Sequence, residues 1–445
     1  MTVPVGASGV HLKHFERVVV DLLPHTEISY SELPPLPDEN WPFDQLPAYA
    51  RVYGTATGQL SDLSRARRKE QQLQSMLRCI LAVTNDDIPC TIADFGGGTG
   101  HLAIPLALLR PKATVIVVDL HNKSLELLHS KVEKTAMVDR DPSDLTGKVL
   151  HPATKSDDRL RHCAKIPNLY TFSGPLQAFD LDFDVGVALH LCGESTDVAL
   201  RKCAVAQVRA LVFAPCCVGK LNRNVKNPYI WQSTGANDPT VEYPQSSLLK
   251  RHIRDMDDWN ALARAADYSE AMECRTTRNA ARRTAKALLE TDRRLWLQEE
   301  FGYETLLTRM EPWEATPKND ILVAWRKDLD VCLKLKPNEE CQRDIQRTVD
   351  YLICRPATSD VKNEHYSVEW TAQEETEIRL ELQKFLQRDD LLQHTFPVGM
   401  GTRRRKLIHY VAETLALAHW GVGQTSSERT VTVAKRRSGT TSGKA

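Results

Sequence analysis

From Cys90 onward, short apolar runs alternate with helix-length segments. The runs "CTIADF" (90–95), "ATVIVVDL" (113–120), "NLYTFSG" (168–174), "DVGVALHL" (184–191) and "RALVFAPC" (209–216) carry few polar positions. That is the pattern of strands buried on both faces. The helical "HLAIPLALLRP" lies between the first two, and a helix-length connection precedes each of the others. Strand and helix in alternation predict an α/β fold, a doubly wound and mostly parallel sheet. "FGYETLLTRM" and "KNDILVAW" read as a strand pair that closes it. In such sheets ligands gather at the carboxyl ends of the strands.

Ahead of the first strand, "SDLSRARRKEQQLQSMLRCILAV" (61–83) has helical apolar spacing and a basic front half. It reads as a docking helix or as a helix facing RNA. Two insertions interrupt the alternation. Residues 134–168 precede the third strand and are expected away from the ligand. Residues 218–256 follow the fifth strand and are expected over it. The expected division is an irregular N-terminal segment (1–60), the sheet domain (61–326), a linker (327–365), a small α/β domain (366–437) and a disordered tail (438–445).

At 445 residues the chain exceeds one compact core, and 58 basic residues balance 58 acidic ones, so net charge indicates no partner. Eleven cysteines without a CxxC pair, and no visible export signal, predict reduced thiols in cytosol or nucleus. No run of 18 apolar residues occurs, so no membrane span is expected.

"DFGGGTG" places Gly96, Gly98 and Gly100 after a strand read as ending in Asp94, and the next strand ends at Asp119. Such glycines let the backbone turn tightly against a ligand, and the later acid accepts from both ribose hydroxyls. Dinucleotide sites share this logic but favour GxGxxG. GxGxG between acids resembles motif I of class I S-adenosylmethionine methyltransferases. The resemblance implies a Rossmann-like methyltransferase sheet with S-adenosyl-L-methionine as cofactor. Asp94 would lie near the methionine amino group, and Asp94, Gly96, Gly98, Gly100, Asp119 and His190 would form the cofactor site.

Two further motifs end the fourth and fifth strands: His-x-Cys-Gly-x-x-Thr-Asp (190–197) and Pro-Cys-Cys-x-Gly-Lys (215–220). They resemble the family of tRNA acceptor-stem 2′-O-methyltransferases. The methyltransferase-like domain of the glutathione S-transferase C-terminal-domain-containing protein is similar. His190, whose pKa ordinarily lies near neutrality, can orient the acceptor or take its proton, or can merely bond a neighbouring backbone. Thr196 and Asp197 read as helix-capping residues. Cys192, Cys216 and Cys217 read as packing residues, as zinc ligands with His190, or as a nucleophile. With His190 they are the candidate catalytic residues, and no resident metal is expected. Lys220 is a candidate phosphate contact.

Near the C-terminus, Arg405 and His409 form an Arg-x-x-x-His pair, followed by "HWGVG" and "ERTVTVAK". This resembles the single-stranded nucleic-acid-binding domain named for that spacing. It implies RNA as partner, with Arg403, Arg404, Arg405 and His409 near phosphate. Residues 401–445 hold nine Lys or Arg against two acids, a local charge suited to backbone contact. A second basic stripe, Arg278, Arg282 and Lys286, reads as a solvated helix face or an RNA contact. Tyr229, Trp231 and Tyr243, with Arg223 and Lys226, offer stacking for a nucleotide or loop anchors. The expected function is RNA methylation, on tRNA and a ribose 2′-hydroxyl. A methyltransferase of protein or small molecules, and an inactive RNA-binding adaptor, are the rivals.

Overall fold

In a computed structural model, the described residues are 14–35, 46, 50, 60–85, 87–133, 158–221, 241–267, 277–329, 335–353, 372–388, 390–398, 400–415, 417–422 and 430–435. They divide into two compact units, Met1–Arg355 and Pro356–Ala445.

The larger unit is built on an eight-stranded sheet: β1 (Thr91–Phe95), β2 (Thr114–Asp119), β3 (Leu160–His162), β4 (Leu169–Ser173), β5 (Val185–Leu189), β6 (Ala210–Ala214), β7 (Glu304–Arg309) and β8 (Asp320–Trp325). Its order is β3-β4-β2-β1-β5-β6-β8-β7. Strands β4, β2, β1, β5 and β6 are parallel, while β8 runs antiparallel to both β6 and β7. The α/β expectation is met, including the closing strand pair. A dinucleotide sheet of order 3-2-1-4-5-6 has no such reversed strand beside its fifth.

The apolar strands bury both faces. Ala93, Phe95, Ile116, Val118 and Phe213 belong to one core, and Ile92, Val115, Val117, Val187 and Val212 to the other. Each of the Val, Ile and Phe side chains contributes about 1.5–3 kcal/mol on burial. The second core is covered by α2 (Leu60–Val83) and α3 (Ala103–Leu109), through Leu73, Met76, Leu77, Ile80, Ile104 and Leu106. Thus the basic-fronted helix docks, as one of its two readings held. Among the parallel strands, chain order runs outward from β1 through β2 and β4 on one side and through β5 and β6 on the other, so the sheet reverses between β1 and β5. The crevice at their carboxyl ends is where a ligand belongs.

Two expectations about the flanks are corrected. Residues 1–60 are not uniformly irregular. Helix α1 (His14–Leu22) buries Val18, Val19 and Leu22, and Tyr30 bridges Leu307 of β7. Nor is 327–365 merely a connector, for α9 (Glu339–Ile353) packs on the long α8 (Thr277–Phe301). There Thr348 Oγ1 meets Thr284 Oγ1 at 2.9 Å, both buried. The remaining helices of this unit are α4 (Asn122–Glu133), α5 (Glu194–Val205), α6 (Ser247–His252) and α7 (Met256–Ala266).

The smaller unit pairs α10 (Ala372–Leu386) and α11 (Thr402–Thr414) with an antiparallel sheet. That sheet is ordered β10 (Ala418–Val422), β11 (Thr430–Ala434), β9 (Gln393–Thr395). Ile378, Leu382, Phe396, Ile408, Val411 and Val433 form its core. Among the described residues, no helix is long and apolar enough to cross a membrane.

Candidate active site

The glycine bend leaves β1 at the switch point. Gly96, Gly98 and Gly100 all have left-handed backbones, φ +68°, +55° and +74°. The turn at Gly98 aims its N–H at Asp119 Oδ2, 3.0 Å away. Asp119 Oδ1 accepts from His121 N at 2.8 Å. Both oxygens are thereby oriented, and each retains a lone pair for a ligand hydroxyl. Gly97, which the spacing argument passes over, is required by close approach. A Cβ there would sit 2.4 Å from Asp94 Oδ2.

Asp94 is fully buried, and neither carboxylate oxygen has a hydrogen-bond partner. Buried polar groups are almost always paired, so this one awaits a donor. Burial, reinforced by the charge of Asp119, pushes its pKa up to about 8, while Lys69 opposes the rise. These residues fit S-adenosyl-L-methionine: a lone carboxyl suits its ammonium, and Asp119 suits its ribose hydroxyls.

Helix α2 contributes two residues that motif reading missed. Burial brings Lys69 down to about 8, while the charges of Asp94 and Cys216 favour its cationic form. Gln72 donates through Nε2 to Ala315 O at 2.8 Å, which turns its Oε1 toward His190 Nε2, also at 2.8 Å. His190 Nε2 is therefore the protonated nitrogen, and Nδ1 keeps its lone pair. The only signal in the sequence was their i, i+3 spacing, which sets both on one face.

His190 is held at φ +67°, a left-handed conformation that costs a non-glycine residue about 1–3 kcal/mol and concentrates at functional sites. Burial, with Lys69 adding to it, lowers its pKa to about 4. The expectation of a pKa near neutrality is corrected: the imidazole is neutral at pH 7, an acceptor rather than a stored proton.

The loops after β5 and β6 bring Cys192, Cys216 and Cys217 together. Their sulfurs lie 2.9 Å (192–216), 3.3 Å (192–217) and 3.6 Å (216–217) apart. The hydrogen bond with Cys216, aided by Cys217 and Lys220, pulls the Cys192 thiol down to about 5, and Cys216 moves strongly up in consequence. His190 is not in this cluster.

Asp197 is no simple cap. Fully buried in the first turn of α5, it accepts from Arg293 Nε (2.7 Å) and Nη2 (2.8 Å), Tyr243 OH (2.7 Å) and Gln245 Nε2 (2.7 Å). Arg293 also reaches Glu290 at 3.1 and 3.0 Å. Tyr243 stacks on Trp259, ring centroids 5.0 Å apart, so it anchors its segment.

The second basic stripe is not a uniformly solvated face where it is described: Arg282 is half-buried and Lys286 is withdrawn from solvent. Lys286 is fully buried against Asp320 and Glu290, and Arg282 Nε donates to Ala265 O at 2.9 Å. Arg223, Lys226, Tyr229 and Trp231 lie outside the described residues, as do the Arg278 side chain and residues 134–157 and 222–240 of the two insertions.

In the smaller unit, Arg405 is mostly buried and donates to Met400 O. His409 Nδ1 meets His419 Nδ1 at 2.9 Å, and burial lowers its pKa. Arg403 and Arg404 are exposed, with Arg403 Nη2 2.7 Å from Glu374 Oε2. Lys220 is exposed in the larger unit, next to Gly193.

One titration follows from the buried carboxyl. The pKa of Asp94 is raised on folding, so between its unfolded and folded values the native state holds the extra proton. Stability from this group therefore falls as pH rises toward 8. The Cys192 thiolate pulls the other way over part of that range. The difference between Asp94→Asn and the parent isolates the effect. Between pH 6.5 and 8, the variant is expected to gain melting temperature relative to the parent in a calorimetric pH series.

Residues 68–224 match the family described as a methyltransferase domain. The match takes in Lys69, Gln72, the glycine bend, Asp119, His190 and the three clustered cysteines. The chain is also similar to the glutathione S-transferase C-terminal domain-containing protein homolog of Drosophila pseudoobscura pseudoobscura, 30% identical over 262 residues, 58% of this chain and 36% of the relative. The protein of that name from Homo sapiens is 29% identical over 293 residues, 65% of this chain and 38% of its own length. The matched region thus spans little more than a third of these relatives. A solved structure, the methyltransferase domain of bacterial CtHen1, is 12% identical with TM-score 0.29, covering 57% of this chain and 98% of its own. The family match and the acid-bracketed bend lie on the same residues: 68–224 are a methyltransferase domain, and its methyl donor is S-adenosyl-L-methionine.

Proposed function

We propose that this chain methylates RNA, with a ribose 2′-hydroxyl of tRNA as the preferred acceptor. The observation that carries the reading is the excess of nine basic residues over two acids in 401–445, on a chain of zero net charge that also holds a donor cradle. Likeness of the His-x-Cys-Gly and Pro-Cys-Cys-x-Gly-Lys motifs to acceptor-stem enzymes supports the acceptor.

The donor supplies an electrophilic methyl group on a sulfonium, so alignment provides much of the rate acceleration. Asp119 would hold the donor's ribose hydroxyls, and Asp94 would face its ammonium. His190, fixed by Gln72, presents Nδ1 as acceptor for the substrate hydroxyl and so orients its oxygen lone pair. The arginines at 403 and 404 bind phosphate and keep RNA near the domain.

Labelled donor, offered with total RNA and with protein extract, is expected to mark RNA, and digestion to give 2′-O-methylated nucleosides. Label in protein would overturn the RNA assignment; intact donor binding without transfer to either would overturn the enzyme. Arg403→Ala/Arg404→Ala is expected to leave donor affinity unchanged. It should make the salt dependence of single-strand binding shallower by about 1.4 in log–log slope, from about 0.7 per phosphate contact. An unchanged slope would remove these arginines from the interface.

A further inference from the structure

We infer that the sulfurs of Cys192, Cys216 and Cys217 form a zinc site that ties the loop after β5 to the loop after β6. The three sulfurs lie within 4.8 Å of one another, the only such group of potential ligands among the described residues. Zinc–sulfur bonds of about 2.3 Å in a tetrahedron set ligand sulfurs about 3.8 Å apart. The present separations of 2.9, 3.3 and 3.6 Å open to that value by small side-chain rotations.

The backbone favours the arrangement. Parallel pairing of β5 with β6, through Leu189↔Ala214, brings both loops out of the sheet side by side. Gly193, at φ +58°, lets the first loop lie against Lys220. A Cβ there would stand 2.7 Å from Lys220 Cβ. Three thiolates and a divalent ion sum to one negative charge, which the adjoining Lys220 stem brings a cation to offset.

Three soft sulfurs select zinc over magnesium or calcium, which take oxygen. Cys216 is buried whereas Cys192 and Cys217 are half-buried, so the ion enters from their side. The other described cysteines, such as Cys79 and Cys90, are buried apart from this group. Three protein ligands leave a fourth position open, as in catalytic zinc sites. This inference does not rest on RNA as the substrate, and its readout is metal content.

The full chain, purified without chelator, is expected to carry about one zinc by plasma mass spectrometry. Exchange with cadmium is expected to give sulfur-to-metal charge-transfer absorption. Cys192→Ser and Cys217→Ser should each lose the bound zinc, while Cys90→Ser retains it. Circular dichroism and donor binding show whether each variant is folded; should Cys192→Ser fail to fold, Cys217→Ser, nearer the solvent, carries the test. A folded parent chain that takes up no zinc or cadmium overturns the site. So does a Cys192 disulfide in the chain as isolated, seen as lost mass and thiol count, or zinc retained by the folded Cys217→Ser variant.

Discussion

Asp119→Ala is expected to weaken S-adenosyl-L-methionine binding about 10- to 100-fold in titration calorimetry. A hydrogen bond to a charged group is worth about 1.5–3 kcal/mol, and 1.4 kcal/mol is a factor of ten. The same carboxylate holds the glycine bend through Gly98 N at 3.0 Å and the following turn through His121 N at 2.8 Å. Its removal therefore deletes the ribose acceptor and loosens the backbone that approaches the ligand. Asp119→Asn keeps one acceptor oxygen and is expected to fall between the two. Parent-like affinity in Asp119→Ala would remove the residue from the donor site.

Arg293→Met is expected to destabilise the chain by about 3–5 kcal/mol, because breaking a buried ion pair from one side leaves uncompensated charge. Two fully buried carboxylates lose the guanidinium at once: Asp197 is left with the neutral donors Tyr243 and Gln245, and Glu290 with Lys286 at 3.8 Å. At about 2.1 cal/mol/K of unfolding entropy per residue, the unit Met1–Arg355 shifts by about 1.3 °C per kcal/mol, so the melting temperature should drop by about 5 °C. Arg293→Lys retains charge but not the two-pronged grip, so most of the loss should remain. Since Asp197 lies in the first turn of α5, just past Cys192 and Gly193, donor affinity is expected to fall as well. A melting temperature within a degree or two of the parent would show that the network contributes little.

The two predictions differ in how the residues were found. Asp119 was legible because its meaning is local: one strand end, a fixed interval from a glycine bend, a ligand hydroxyl to hold. Arg293 was visible only as part of "ETDRRLW", and Asp197 only as a helix opener. Nothing in their neighbourhoods announces that residues 96 positions apart share two hydrogen bonds. Lys286 gives the converse error, since four-residue spacing suggested a wet face and the fold buries it against Asp320.

His190 also divides along this line. Its motif placed it at a strand end beside the donor. Its protonation depended on α2, where Gln72 fixes the tautomer and burial with Lys69 lowers the pKa to about 4. Likewise the cysteines were each legible, but their convergence required β5 and β6 to pair in register.

The sequence by itself determined the alternation of buried strands and helices, the acid-bracketed glycine bend and the basic character of the tail. These are near-neighbour properties, written in residue type and interval, and the chain's own stereochemistry translates them. Tertiary structure alone decided which buried charges find partners, which nitrogen of His190 keeps its lone pair and which three sulfurs meet. Those outcomes follow from segments far apart in the chain excluding water together, and burial sets the cost of every unpaired charge.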